Sequence, residues 1–134
     1  MKNVIFILLC VSLGSHVLFA QEVSYMGDPD ASFFKARELA FAGKHLSAQD
    51  TLKRILTRYP DYTDVRNLLA KTYSWDAKYD EARKHLNRIT STERQNREAW
   101  VAAIKNEIYA KDTYIALGLA NKALQYLPED QEIL

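Results

Sequence analysis

The sequence predicts an all-α fold, a solenoid of three antiparallel helical hairpins followed by the start of a fourth. Only four Gly and three Pro occur among 134 residues, too few for the turns of a many-stranded fold. The second half is rich in Ala, Leu, Lys, Arg and Glu, which favour helices. From residue 30 onwards the pattern of small and large apolar residues recurs every 34 positions. A repeat of this length holds one pair of helices.

Apolar residues define the repeat. Its clearest position holds Ala48, Ala82 and Ala116, each 34 residues after the one before. Three further series share this spacing: Ala36, Ala70 and Ile104; Leu52, Leu86 and Ala120; and Ile55, Ile89 and Ala123. Small side chains let two helix axes approach each other, and larger ones fill the space beside them. Because one hairpin buries only part of its apolar surface, neighbouring hairpins must stack to be stable.

Turn signals place the helix ends. Pro60 and Pro128, two periods apart, end the second helices of the first and third repeats, because proline cannot continue a helix. Gly43 marks the turn inside the first repeat, and Ala77 and Lys111 occupy the same position later. These signals predict helices near 30–42, 45–58, 63–76, 79–91, 97–110 and 113–126. The predicted helices form a domain at 30–134, with repeats at about 29–62, 63–96 and 97–130.

The pattern resembles the tetratricopeptide repeat (TPR), in which Trp, Leu, small residues, Tyr and Pro occupy set positions of a 34-residue unit. Tyr73 and Trp100 stand at two of the aromatic positions, and the three in-phase units contain no insertion. The third unit departs most, because Glu107 stands where an apolar residue is expected. The resemblance implies a right-handed α-solenoid whose first helices line a concave binding face.

A second resemblance is more specific. Residues Asp64–Asp76 (DVRNLLAKTYSWD), followed by Tyr79–Arg83 (YDEAR), resemble a stretch of YaiO-type bacterial outer-membrane proteins. The resemblance extends over residues 21–134. It implies a periplasmic, Gram-negative setting and an accessory binding role near the outer membrane. Contact with the membrane itself is expected only through a further C-terminal part or through a partner.

The first twenty residues have the layout of a secretory signal peptide. Lys2 supplies a positive charge, residues 4–13 (VIFILLCVSL) form an apolar run, and Ala20 offers a small residue for cleavage. We therefore expect residues 1–20 to be removed on export and residues 21–29 to form a leader. The alternative is an uncleaved N-terminal anchor, although a membrane span needs about 20 apolar residues.

Charge and reactive residues argue against several classes of function. Without Lys2 the chain keeps 17 basic residues (18 − 1) against 17 acidic ones, a balance that argues against a nucleic-acid partner. Cys10 lies in the predicted signal, so the mature chain has no thiolate. His45 and His85 are too far apart in sequence for metal-ligand spacing, and no phosphate-loop or catalytic motif occurs. We expect no catalytic residue, no metal site and no cofactor.

Two in-phase rows on the predicted first helices form a candidate binding face, one row basic and the other aromatic. The basic row is Arg37, Lys71 and Lys105, and the aromatic row is Phe41, Trp75 and Tyr109. These six residues and Asn67 are the candidate ligand contacts. The bases would bind carboxylates, and the aromatic faces would stack on apolar side chains or sugar rings. The expected ligand is an extended peptide of a protein partner or, as the alternative, an acidic polysaccharide.

Each row also has an explanation without a ligand. Base and aromatic residue stand four positions apart in each repeat, where they form local contacts along one helix. The aromatic residues would equally serve to cover the hairpin ends. A third row, Asp30, Asp64 and Glu98, lies near the helix starts, where acids offset the helix macrodipole.

The leading hypothesis is a non-catalytic, periplasmic interaction or scaffold module, the N-terminal arm or partner of an outer-membrane or envelope assembly. The export signal, the repeat and the lack of a polar capping helix after the third repeat motivate it. One alternative is a carbohydrate-binding domain that supports polysaccharide export or modification. Another is a non-catalytic domain of a larger secreted enzyme.

Overall fold

The computed structural model describes residues 27–133 and contains six α-helices in that range. They are α1 (Pro29–Phe41), α2 (His45–Arg58), α3 (Thr63–Trp75), α4 (Tyr79–Thr92), α5 (Arg97–Tyr109) and α6 (Thr113–Leu124). No strand occurs between residues 27 and 133, and the all-α prediction is confirmed. Each helix end lies within two residues of the predicted one. The predicted signal peptide and most of the predicted leader lie outside the described residues.

Successive helices pair as hairpins, and the hairpins stack. α1 packs on α2, α3 on α4 and α5 on α6, and three residues join each pair. α2 also packs against α3, and α4 against α5. The first helices α1, α3 and α5 contact one another in turn, so they form one face of the stack. This arrangement is a solenoid, in which each hairpin depends on its neighbours in the sequence.

Alanine, leucine and isoleucine form the contacts inside and between the hairpins. The repeated positions are almost completely buried at Ala36, Ala48, Leu52, Ile55, Ala70, Ala82, Leu86 and Ile89. Burying a leucine or isoleucine side chain stabilises the fold by about 1.5–3 kcal/mol relative to leaving it exposed. The alanines contribute mainly by leaving room for the neighbouring helix, since packing at native density tolerates little extra volume.

The turn inside each hairpin passes through a left-handed backbone conformation. φ is +73° at Gly43, +58° at Ala77 and +62° at Lys111. In each turn the next residue donates its N–H to a carbonyl five positions earlier, as Lys78 does to Tyr73 at 2.9 Å. This hydrogen bond closes the end of the first helix. Only one of the three positions carries glycine, the residue that adopts positive φ without steric cost.

The chain enters a fourth repeat in the same way as it enters the first. Asp28 caps α1 by accepting the N–H of Asp30 at 3.0 Å. Asp130, three periods later, accepts the N–H of Glu132 at 3.0 Å, also two positions ahead. Ile133 is 8% exposed and packs against the third hairpin. This last turn is the start of a fourth repeat that the sequence predicts.

The left-handed turn at Ala77 leads to a stability prediction. We expect Ala77→Gly to raise the free energy of unfolding by about 0.5–1 kcal/mol, because the strain of an L side chain at positive φ exceeds the entropic cost of glycine. Chemical denaturation followed by circular dichroism measures this change.

Gly43 provides the matched control. A Cβ added at Gly43 would have no neighbouring atom within 4 Å, so only its backbone conformation opposes a side chain. Gly43→Ala should therefore destabilise the protein by about 1 kcal/mol. If Ala77→Gly destabilised the protein as well, the positive φ at this turn would not be the strained conformation inferred here.

Candidate ligand-binding groove

A groove lies along the face that α1, α3 and α5 form. It has a volume of about 370 Å³. Five of the predicted ligand contacts line it: Phe41, Lys71, Trp75, Lys105 and Tyr109. A second cavity of about 200 Å³ extends towards the first hairpin and is lined by Arg37, Phe41 and Lys71. The structure thus brings six of the seven predicted contacts to one surface, on three different helices.

The aromatic row presents partly exposed rings to the groove. Phe41 is 66% exposed, Tyr109 49% and Trp75 39%. The Phe41 and Trp75 ring centroids are 5.6 Å apart, and the His45 ring lies 5.5 Å from Trp75 on the α2 side. The Arg37 guanidinium carbon lies 5.8 Å from the centre of the Phe41 ring. Trp75 is therefore held by rings of the first repeat while part of its surface stays open.

The two lysines of the basic row are paired with acids 27 residues further along the chain. Lys71 Nζ forms an ion pair with the Glu98 carboxylate, and Lys105 Nζ lies 2.8 Å from Glu132 Oε1. Each acid is 27 residues after its base. Hydrogen bonds from Lys105 and then Arg97 lower the pKa of Glu132, so this carboxylate is ionised at neutral pH. Glu132 lies one period after Glu98 and so continues the row of acids. The negative charges of Glu98 and Glu132 thus neutralise the two lysines of the groove.

Two buried polar residues of α3, Ser74 and Asn67, each have a side-chain oxygen without a hydrogen-bond partner. The Oγ atom of Ser74 has no hydrogen-bond partner in the structure, and this residue is 7% exposed and lines the groove. The corresponding residues of the other repeats are Ala40 and Ile108, which are apolar. Asn67, the seventh predicted contact, is 3% exposed and is not among the residues that line either cavity. The sequence analysis included Asn67 among the candidate contacts but did not single out Ser74.

Comparison with known proteins identifies the architecture. The family model described as "Tetratricopeptide repeat" matches residues 41–106, from the end of α1 into α5. The fold is a tetratricopeptide-repeat solenoid. The crystal structure of YrrB, described as a TPR protein with an unusual peptide-binding site, superposes with a TM-score of 0.72 at 18% sequence identity. The match covers 81% of this chain and 56% of the YrrB chain.

Fifteen chains among the solved structures match this chain. No curated protein matches the sequence. The tetratricopeptide resemblance is therefore confirmed at the level of the fold. The YaiO-type resemblance stays a prediction.

Inside the TPR stack, Asp76 connects the first two repeats beside Trp75. His45 Nδ1 lies 2.5 Å from one carboxylate oxygen, and Gln49 donates to the other at 2.8 Å. The hydrogen bond from His45 is the largest cause that lowers the pKa of Asp76. Both donors come from α2, so they hold the end of α3 and the adjacent tryptophan against the first hairpin.

An ion pair whose acid is buried and whose base is 33% exposed connects the second and third repeats. Arg83 on α4 donates to both carboxylate oxygens of Glu107 on α5, at 2.9 and 2.6 Å. Glu107 is 1% exposed. The hydrogen bond to Glu107 is the largest cause that raises the pKa of Arg83. The sequence showed an acid at an apolar position, and the structure supplies its partner, 24 residues earlier.

The two histidines have separate structural roles. His45 binds Asp76, whereas the ring of His85 stacks on Tyr73 at 5.8 Å. Burial and then the charge of Arg66 lower the pKa of His85. Within residues 27–133 no group of three or more His, Cys, Asp or Glu side chains could hold a metal ion. In the same range no helix has the length and apolar character needed to cross a membrane.

The Arg83–Glu107 pair leads to a second stability prediction. We expect Arg83→Met to lower the free energy of unfolding by about 3 kcal/mol, because removing the base leaves the buried charge of Glu107 uncompensated. The double variant R83M/E107L should recover most of this loss, since apolar residues need no counter-charge. Urea denaturation of the wild type and the two variants measures the difference.

Arg88→Met is the matched control. Arg88 lies 3.5 Å from Asp61, and both side chains are exposed to solvent. Exposed ion pairs contribute little to stability, so the urea midpoint should change little. If R83M were as stable as R88M, the Arg83–Glu107 pair would not hold the two repeats together.

Proposed function

We propose that the chain is a non-catalytic interaction module that holds an extended peptide segment of a partner protein in the groove. The observation that carries this proposal is the aromatic row: Phe41, Trp75 and Tyr109 come from three helices and line one groove with partly exposed rings. Half-exposed aromatic side chains in a concave site are typical anchors for binding. The structural likeness to YrrB, whose description includes a peptide-binding site, supports the same function.

The size of the groove also supports a peptide ligand. Its volume of about 370 Å³ is at the lower end of the about 300–1,000 Å³ of small-ligand sites. It therefore accommodates a few side chains of an extended chain. Arg37, in the adjoining cavity, extends the same surface onto the first repeat. A peptide that runs along the first helices would contact all three repeats.

Trp75→Ala tests the binding site. Peptides are first selected on the purified protein from a displayed library of random 12-residue sequences. The dissociation constants of selected peptides are then measured by fluorescence anisotropy. We expect Trp75→Ala to weaken binding about tenfold or more, since truncation of a central aromatic anchor typically costs at least about 2 kcal/mol. Circular dichroism verifies that the variant keeps its helices.

Tyr114→Ala is the matched control for the loss of an aromatic ring. Tyr114 lies on α6, away from the groove, and is 88% exposed. Its truncation should change the dissociation constant by less than about twofold. If no peptide were selected, or if both variants bound the selected peptides as the wild type does, the groove would not be a peptide site.

The proposed location is the periplasm, in association with the outer membrane. Support comes from the signal-peptide pattern at residues 1–20 and from the YaiO-type resemblance. In a Gram-negative host we expect the protein in the periplasmic or envelope fraction, with its mature chain beginning at Gln21. Mass spectrometry of the fractionated protein determines both properties. Recovery of a chain that begins at Met1 in the cytoplasm would refute this part of the proposal.

A further inference from the structure

We infer that the groove selects uncharged peptide segments, which place an apolar side chain against the aromatic row and a backbone polar group on Ser74. This inference rests on the proposed peptide-binding function. It adds the chemical class of the ligand. It also gives the lysines of the groove a structural role instead of a role in binding anions. It therefore disfavours an acidic polysaccharide and an acidic peptide tail.

The cations that line the groove are already paired with acids of the fold. The groove is lined by Lys71, Lys105 and Arg97, the cations that an acidic ligand would need. All three already form ion pairs with Glu98, Glu132 or Asp130. A ligand carboxylate would have to displace an acid that the fold holds close by, or else lie beside it. Like charges at such a distance repel each other.

Arg37 is the exception in the basic row, and its surroundings limit its effect. No ion pair to Arg37 occurs within residues 27–133, and its guanidinium lies over the Phe41 ring. It belongs to the adjoining smaller cavity, where the Asp64 carboxylate also lines the wall. The larger part of the groove, beside Trp75 and Tyr109, contains no unpaired base among the described residues. The binding surface there is charge-balanced.

Part of the groove wall is apolar. Leu86, Val101 and Ala102 line the groove together with Trp75 and Tyr109. These side chains offer no hydrogen-bond donor or acceptor except at the indole and phenol ends. An apolar ligand side chain gains free energy here by leaving water, whereas a charged one loses its hydration.

Ser74 also points to a polar ligand group. The residue lines the groove, and its hydroxyl oxygen is buried at the wall without a hydrogen-bond partner. A buried hydroxyl that stays unpaired is costly. The corresponding positions Ala40 and Ile108 show that the fold does not require a polar residue there. A serine hydroxyl both donates and accepts, so either a peptide N–H or a peptide C=O satisfies it. The hydroxyl therefore points to a ligand with a polar backbone and no need for charge.

Selection of peptides tests the charge preference. The displayed 12-residue library is fused at both ends, so no free terminus is present. The wild type should select peptides of near-zero net charge that are rich in aliphatic and aromatic residues. The variant E98Q/E132Q removes the negative charges that neutralise Lys71 and Lys105, so it should select acidic peptides instead. Selection of acidic peptides by the wild type would overturn the inference while leaving the peptide-binding function intact.

Affinity measurements with one selected peptide give an independent test. Its dissociation constant should change less than about threefold between 50 and 500 mM NaCl, since salt screens only charge-based binding. Forms with an amidated and with a free C-terminal carboxylate should bind within about twofold of each other. A tenfold loss in high salt or a tenfold preference for the free carboxylate would overturn the inference.

Ser74→Ala tests the backbone contact. We expect the variant to bind the selected peptide about five- to tenfold more weakly, as removal of one hydrogen bond to a buried group predicts. Ser47→Ala, which removes an exposed serine from α2, is the control and should bind as the wild type does. Unchanged binding by Ser74→Ala would refute the role of the hydroxyl. Unchanged binding by Trp75→Ala would refute the proposed function as a whole.

Discussion

The close approach of helices at the repeated alanines is the constraint on which the other features depend. Ala36, Ala48, Ala70 and Ala82 are completely buried, and each leaves room for a neighbouring helix. A hairpin packed in this way still exposes apolar surface on both sides, which only another hairpin covers. Stacking is therefore a condition of stability for each unit. It also fixes the distance and register between first helices, and with them the shape of the groove.

The register between hairpins determines how charges pair. Each first helix is displaced by one repeat from the first helix of the preceding hairpin. A lysine of one repeat therefore reaches the acid that lies 27 residues further along the chain. The Lys71–Glu98 and Lys105–Glu132 pairs follow from this geometry. The Arg83–Glu107 pair and the contacts of His45 and Gln49 with Asp76 connect the same hairpins. Polar contacts between repeats thus stabilise the stack and take up charges that would otherwise attract acidic ligands.

Most of the fold could be predicted because its signals are local. Period, proline positions and turn residues place every helix end within two residues, since the packing positions recur along the chain. The candidate groove could be predicted in part for the same reason: Phe41, Trp75 and Tyr109 share one phase and do line one groove. Asn67 lies on the same helix as Trp75 but is buried, because its position faces the packed interior between helices. The position of a residue in the repeat therefore indicates only approximately which face of the helix it lies on.

The class of fold, the number of hairpins and the rows of bases, aromatics and acids follow from the sequence alone, because each of these is periodic. Which members of the rows meet depends on the three-dimensional packing. The pairing of the lysines, the partner of Glu107 and the unpaired hydroxyl of Ser74 depend on contacts between residues of different hairpins, 24 to 27 positions apart for the ion pairs. Such contacts depend on the rotation and displacement of one hairpin on the next. These follow from side-chain packing at the interface, which no local pattern of residues encodes.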